Sequence, residues 1–205
     1  MTGTSDPVKE FARAVAHDLN NLLTVLAGYP ELLLQRPGLD PEVKKRLETM
    51  LRASERATEY VAQLAALGGR MPQQPEEVDP LAVAREALGA EPDAEPVPPV
   101  RADRARLSRA LSELVALVRE RNPRLERVSL AVRRAAAAVE WSLADPTPLD
   151  EEARQRALLP FGLKRAERAR GLALAVVAEW ARAAGGSLEV LPAPPGVTWR
   201  LTLPV

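Results

Sequence analysis

An unbroken apolar line on one predicted helix constrains the fold more than any other feature of this chain. Between residues 43 and 68, apolar or small residues recur alternately four and three positions apart: Val43, Leu47, Met50, Ser54, Ala57, Val61, Leu64 and Gly68. This spacing is the a/d seam of a coiled coil. Gly68-Gly69 ends the helix, and the segment RMPQQPEEVDP that follows has the composition of a linker. The line therefore predicts a helix that packs lengthwise against other helices.

A second amphipathic helix precedes this seam, and the turn QRPGLDPE joins the two, with Asp40 as the predicted N-cap. Pro30 should kink or loosen the first helix. At about 100° per residue its apolar side and its polar side separate cleanly. The apolar side carries Val15, Leu19, Leu22, Leu23, Leu26 and Leu33, and the polar side carries His17, Asn21, Thr24 and Gly28.

Two antiparallel helices cannot cover both apolar lines by themselves. Two such hairpins cover them by forming a four-helix bundle. We therefore expect a homodimer through residues 7–68. The alternative is that the second half of the same chain covers the apolar line.

Composition narrows the class of protein. Lys plus Arg and Asp plus Glu both total 28 residues, so no basic field favours nucleic acid or an acidic membrane surface. Cysteine is absent and there is one histidine, so we expect no metal centre held by this chain. No segment approaches an uninterrupted apolar run of about 18 residues, which a membrane span needs. The N-terminal residues MTGTSDPVKE lack a signal-peptide core, and we expect a cytoplasmic protein.

From about residue 79 the pattern changes to mixed helix and strand. Helices are predicted over 79–88, 103–121, 150–160 and 171–186, strands over 127–134 and 137–144, and a terminal hairpin over 187–205. Residues 89–100 are rich in proline and should form a loop with at most a short edge strand. The predicted fold class is α+β, with a helical hairpin over 1–70, a linker over 71–78 and an α/β layer over 79–205.

The single histidine, His17, lies in the stretch AHDLNNLL, beside Asp18 and one helical turn before Asn21. A neutral imidazole has one ring nitrogen with a free lone pair, which can act as a nucleophile. The Asp18 carboxylate is close enough in sequence to accept a hydrogen bond from the other ring nitrogen, which would select the tautomer. These three residues are candidates for a catalytic site.

The segment FARAVAHDLNNLLTVLAGYPELLLQ, followed by ERATEYVAQLAAL, resembles the phosphoacceptor hairpin of bacterial sensor histidine kinases. That family carries a His-Asp/Glu-x-x-Asn/Thr box on a helix, then a turn and a second helix. The resemblance implies that His17 is the phosphoacceptor. It also implies that the Asn21 amide orients a water for dephosphorylation of a partner's phospho-aspartate.

The second half resembles the Bergerat-type ATP-binding domain of the same kinases in the order of its elements, but its nucleotide boxes are degenerate. The positions that match the magnesium-binding helix are Glu113 and Leu117, and an aliphatic side chain is no ligand for Mg²⁺. Asp145 survives from the first glycine box, but DPTPL supplies no glycine, and Gly171 alone survives from the second. We expect Asp145 to be structural rather than an adenine ligand. Core positions are assigned to Leu117, Val118, Leu172, Val176, Trp141, Trp180 and Trp199.

An intact histidine box beside a degenerate ATP site is most similar in layout to the dimeric phosphorelay histidine phosphotransferases. The resemblance implies that the chain shuttles a phosphoryl group between response-regulator receiver aspartates through His17. The chain itself would bind no cofactor, and the receiver domain would supply Mg²⁺. Two alternatives are a divergent kinase that autophosphorylates from ATP, and a non-enzymatic dimeric scaffold that binds a response regulator.

Overall fold

Two long helices, α1 (Pro7–Leu34) and α2 (Pro41–Gly68), pack against each other as a hairpin. The computed structural model describes residues 7–68, 74–160, 162–163 and 168–205. Contacts between Cα atoms divide the chain into two units, residues 1–70 and 71–205. The Asp40 carboxylate accepts hydrogen bonds from the backbone N–H groups of Glu42 and Val43, so it caps α2 as predicted.

The interface of the hairpin consists of small and apolar side chains. Ala16 and Pro30 of α1 and Leu47, Ser54 and Val61 of α2 are buried. On each helix these residues fall on one line at helical spacing. Helix α1 is continuous through Pro30, so the proline is accommodated inside the helix rather than ending it.

The predicted seam on α2 divides into two lines. Leu47, Ser54 and Val61 are buried, whereas Val43 and Met50 are exposed. A hairpin covers one line per helix, and a and d positions lie about 50° apart around the helix, so the second line is left uncovered. The side chains of Leu64 and Gly68 lie outside the described residues.

The second unit places helices on one face of a five-stranded sheet. The strands of this sheet are β2 (Asp93–Ala94), β4 (Ser129–Ala135), β5 (Ala138–Asp145), β6 (Ser187–Ala193) and β7 (Gly196–Pro204). Their order is β2-β4-β5-β7-β6, in which β2 pairs parallel with β4 and all other pairs are antiparallel. The helices are α3 (Pro80–Leu88), α4 (Arg104–Arg121), α5 (Glu151–Arg156) and α6 (Arg168–Ala183). The predicted α+β class and the terminal hairpin are confirmed.

The core lies between the helices and the sheet. Inward positions of β5 and β7 alternate with outward ones, as the period of a strand requires, and Val139, Trp141, Leu143, Trp199 and Leu201 are fully buried. Helix α4 is capped by Asp103, whose carboxylate accepts from the N–H of Arg106. Its inward face is the apolar set Leu107, Leu111, Leu114, Leu117 and Val118.

Part of the predicted linker is a strand. Residues 76–78 form β1 (Glu76–Val78), which pairs antiparallel with β3 (Val100–Ala102) in a separate two-stranded sheet. Val78 and Val100 are directly opposite and both are buried. The two strands are three residues each and distant in sequence, so local sequence patterns do not predict their pairing. Residues 71–73 lie outside the described part of the chain.

The turn between β4 and β5 contains a residue in an unfavourable conformation. Ala136 has φ of 52°, in the left-handed region that favours glycine. Holding an L-residue with a Cβ in that region costs about 1–2 kcal/mol.

Substituting Ala136→Gly should therefore raise the free energy of unfolding of the second unit, by about 1 kcal/mol. Urea denaturation followed by tryptophan fluorescence measures this, because all three tryptophans, Trp141, Trp180 and Trp199, belong to the second unit. Ala137→Gly is the matched control, since Ala137 lies in the same turn without a positive φ. Equal effects of the two substitutions would contradict the assignment of strain to Ala136.

Candidate functional site

The structure places His17 on the solvent side of α1. Its side chain is 74% exposed, and that of Asp18 is 83% exposed. The Nδ1 atom of His17 is 3.2 Å from Oδ1 of Asp18. When Nδ1 carries the ring proton it donates to this carboxylate, and Nε2 then presents its lone pair to solvent. The pair therefore has the geometry of an oriented nucleophile.

His17 and the apolar surface of α1 lie on opposite sides of the hairpin. Measured around α1 at about 100° per residue from the buried Ala16, His17 lies about 100° to one side. Leu19, Leu22 and Leu26 lie about 60° to 120° to the other side. Leu22 is 62% exposed, and Leu19, Leu26 and Tyr29 are exposed with it. The histidine is thus outside any interface that covers the apolar side.

The exposed line of α2 lies on the same side of the hairpin as that of α1. From the buried Leu47, Val43 and Met50 lie about 40° to 60° round the helix in the same rotational sense as Leu22 from Ala16. In an antiparallel pair, equal rotations of the two helices turn toward the same side. The uncovered residues of both helices consequently form one continuous surface, which we call the apolar face: Leu19, Leu22, Leu26, Tyr29, Val43 and Met50.

The remaining polar residues beside His17 differ in their surroundings. Asn21 is exposed, one turn beyond His17 on the same side of α1. The Thr24 hydroxyl donates to the backbone carbonyl of Asn20 at 2.8 Å, so it is engaged by its own helix. Val25 and Leu32 are exposed apolar residues that continue the outward side of the helix.

A buried carboxylate of the second unit, Asp145, is surrounded by hydrogen-bond donors. The Asp145 side chain has no exposed surface, and it accepts four hydrogen bonds from residues that the structure describes. Oδ2 accepts from Nε of Arg121 at 2.6 Å and from Nε1 of Trp199 at 3.1 Å. Oδ1 accepts from Nδ2 of Asn122 at 2.8 Å and from the N–H of Thr147 at 3.0 Å. A carboxylate offers roughly four lone-pair positions, so Asp145 has no acceptor position left over.

Comparisons with known proteins agree with both units. Residues 8–68 match the sequence profile of the His Kinase A (phospho-acceptor) domain. No curated protein matches the chain. Solved structures similar to it include full-length ShkA in complex with AMPPNP, at 19% identity and a TM-score of 0.78 over 96% of this chain. The chain is thus similar to histidine kinases, in profile over residues 8–68 and in fold over most of its length.

Two further structures share the histidine-kinase-like fold. Histidine kinase AdeS of Acinetobacter baumannii is 19% identical, with a TM-score of 0.56 over 91% of this chain and 95% of AdeS. Histidine kinase ThkA in complex with the response regulator protein TrrA is 19% identical, with a TM-score of 0.59 over 95% of this chain and 61% of ThkA. The chain spans 46% of the length of ShkA. Among the described residues, no helix is long and apolar enough to cross a membrane.

The positions of this histidine-kinase-like chain that match the nucleotide boxes do not fit a magnesium nucleotide held in the usual way. Leu117 is fully buried in the core and offers no oxygen to Mg²⁺. Glu113 is half-buried on α4. Gly171 belongs to the first turn of α6, and its environment lies outside the described part of the chain. Asp145 is saturated by donors of its own chain. Leu172 is buried as expected, whereas Val176 is only half-buried, which corrects its assignment to the core.

Sequence reasoning missed the residues that surround Asp145. It assigned Trp199 to packing alone and gave no role to Arg121, Asn122 or Thr147. One feature of the sequence could have revealed this environment. Asp145 continues the alternating, inward-facing positions of its strand, which are Val139, Trp141 and Leu143. An inward carboxylate requires a buried cation or several donors, and Arg121 at the end of α4 is the cation that the fold supplies.

The substitution Asp145→Asn should destabilise the second unit by about 3–5 kcal/mol, because it leaves the buried Arg121 guanidinium without its counter-charge. Urea denaturation followed by tryptophan fluorescence is the measurement. Asp93→Asn is the matched control. Asp93 also pairs with an arginine, Arg133, at 2.7 Å, but its side chain is largely exposed, and such pairs contribute about 0–1 kcal/mol. Similar losses in the two variants would contradict the assigned role of Asp145.

Proposed function

We propose that this chain is a phosphorelay histidine phosphotransferase that carries a phosphoryl group on His17 between receiver domains of response regulators, without using ATP. The observation that carries the proposal is the contrast between the two units. The histidine site is exposed and oriented by Asp18. The surviving acid of the nucleotide boxes is buried and saturated. The first arrangement favours phosphoryl exchange, and the second argues against nucleotide binding.

The transfer step needs little from the chain beyond His17 and its neighbour. Nε2 attacks the phosphorus of an aspartyl phosphate, the N–P bond forms, and the O–P bond to the aspartate breaks, which leaves a carboxylate. Asp18 holds the proton on Nδ1 and stabilises the positive charge that develops on the ring. Transfer onward to a second receiver reverses these bonds. Such reactions depend chiefly on positioning and neutralisation of charge, and the Mg²⁺ that neutralises charge is expected from the receiver.

The outward side of α1 has the character expected of a docking surface for the receiver. Asn21 is polar and one turn from His17, and Val25 and Leu32 are exposed apolar residues on the same outward side. Leu32 is 63% exposed. Gly28, between them, has open space where a Cβ would be. A flat strip with apolar anchors suits a protein surface better than a small molecule.

The apolar face is proposed to be covered by a second copy of the chain. Its residues lie on the side of the hairpin away from His17, so a dimer formed there leaves the histidine accessible. Two hairpins joined through this face give the four-helix bundle that the residue spacing predicts. Support also comes from the match of residues 8–68 to the phospho-acceptor domain profile.

Phosphoryl transfer is tested by mixing the purified protein with ³²P-phosphorylated receiver domains from the same genome. We expect label on the protein that is stable in base and labile in acid, as for phosphohistidine. The variant His17→Ala should take no label and keep its helical content, because the side chain makes no buried contact. Asp18→Asn should take label more slowly. Labelled ATP with Mg²⁺ should give no label in the absence of a receiver.

Two other outcomes would decide between the alternatives. Labelling of His17 directly from ATP would contradict the proposal and identify a divergent kinase. Binding of a receiver without any transfer, unaffected by His17→Ala, would identify a scaffold.

The dimer is tested with Leu22→Glu, which places a charge in the apolar face. We expect sedimentation equilibrium to show a dimer for the parent protein and a monomer for the variant, because burying an unpaired carboxylate is strongly unfavourable. Thr24→Glu is the control, since Thr24 is exposed on the opposite side of α1. A parent protein that sediments as a monomer, or a dimer retained in Leu22→Glu, would contradict the interface.

A further inference from the structure

The second unit contains a buried acidic site whose partner is a side chain of the same unit. Arg121 is 3% exposed and Asp145 is fully buried, and their Nε–Oδ2 distance is 2.6 Å. Neither group is accessible to solvent to a useful degree. Burying a single charge without a partner is prohibitive in a protein interior, so each of these groups requires the other.

Arg121 is held in a fixed orientation. Nε donates to Asp145, and Nη2 donates to the backbone carbonyl of Thr147 at 3.0 Å. The residue lies in the last turn of α4, where a positive charge interacts favourably with the helix dipole. A planar guanidinium presents donors in a rigid fork, and both contacts use this geometry. A flexible ammonium at the same place would lack it.

The other donors to Asp145 come from separate elements and complete the enclosure. Asn122 follows α4, Thr147 follows β5, and Trp199 belongs to β7. The Asn122 amide also accepts from the Thr147 hydroxyl at 2.8 Å, so the surrounding groups bond one another as well as the acid. These contacts form a pocket for a guanidinium, with the carboxylate on one side and the Thr147 carbonyl on another.

We propose that the Arg121 guanidinium is a built-in ligand at this pocket. It occupies a site whose chemistry selects a planar cation with several N–H donors, such as a guanidinium or amidinium compound. The acid is thereby neutralised by a side chain of its own unit. The pocket belongs to the second unit alone, so unfolding reports on it independently of phosphotransfer by His17.

The experiment removes the side chain and supplies its head group separately. In Arg121→Ala, the equilibrium constant for unfolding should increase at least about a hundredfold, because Asp145 loses its counter-charge. N-methylguanidinium, at about ten times its dissociation constant, should lower the unfolding equilibrium constant of this variant about tenfold. The parent protein should show no stabilisation by the same compound. Tryptophan fluorescence in urea follows the second unit in the full chain.

Matched controls separate the pocket from a general effect. Methylammonium has the charge without the planar donors and should not restore Arg121→Ala. Arg121→Lys should remain destabilised for the same reason. Arg119→Ala removes a neighbouring arginine of the same helical turn, whose Nη2 donates to the Leu88 backbone carbonyl, and it should show neither the large loss nor the rescue. The double variant Arg121→Ala with Asp145→Asn should lose the rescue, because the carboxylate that would bind N-methylguanidinium is absent.

Several results would overturn the proposal. These are full stability of Arg121→Ala or Arg121→Lys, equal rescue by methylammonium, and rescue that persists in the double variant. If Arg121→Ala does not fold when produced alone, it is refolded from urea with N-methylguanidinium. Recovery of the native tryptophan emission only with that compound supports the proposal, and no recovery contradicts it.

Discussion

The second unit is organised around one buried carboxylate that must be neutralised and fully hydrogen-bonded. Asp145 joins the end of β5 to the end of α4 through Arg121 and to β7 through Trp199. The turn that begins β7 passes against the same strand end, where a Cβ on Gly196 would overlap the backbone carbonyl of Asp145. The positions of α4, β5 and β7 are therefore coupled, because moving any one of them would leave a charge or a donor unsatisfied in the core.

In the hairpin, by contrast, packing, the apolar face and the exposed histidine occupy different sides of α1. Small residues such as Ala16 and Ser54 allow α1 and α2 to approach, the apolar face remains uncovered, and His17 lies away from both. Separation of this kind lets a stable interface and a reactive group share one helix. In the proposed dimer, a residue change on the apolar face would alter assembly without touching His17, and a change at His17 would leave the interface intact.

Local periodicity was sufficient to predict most helices and strands, and it was insufficient for contacts between distant segments. The spacing from Val43 to Val61 predicted a helix with a packing line, but spacing alone does not say which neighbour covers which residue. The structure shows Leu47 buried and Met50 exposed. The pairing of β1 with β3 was missed because three-residue strands carry little pattern.

Of the candidate site residues, those close together in sequence were predictable and those brought together by the fold were not. His17, Asp18 and Asn21 are recognisable because they belong to one turn of one helix, so their geometry follows from the sequence. The environment of Asp145 depends on four residues from three segments of the chain, and the sequence alone shows only that Asp145 falls on the inward side of its strand. Which cation neutralises an inward acid is decided by the packing of helix on sheet.

A site built from adjacent residues tolerates change elsewhere in the chain better than a site built from several elements. This is a physical reason why the histidine box is intact and the nucleotide boxes are degenerate. A phosphoacceptor histidine needs exposure, one tautomer and a rigid helix, and adjacent residues provide all three. A magnesium nucleotide needs oxygen ligands, phosphate donors and a base contact assembled from several elements at once, so a few substitutions disable it. Once Leu117 lies in the core and Arg121 neutralises Asp145, the domain keeps its fold through internal contacts. In the proposed function, His17 carries the phosphoryl group and the metal ion belongs to the receiver domain.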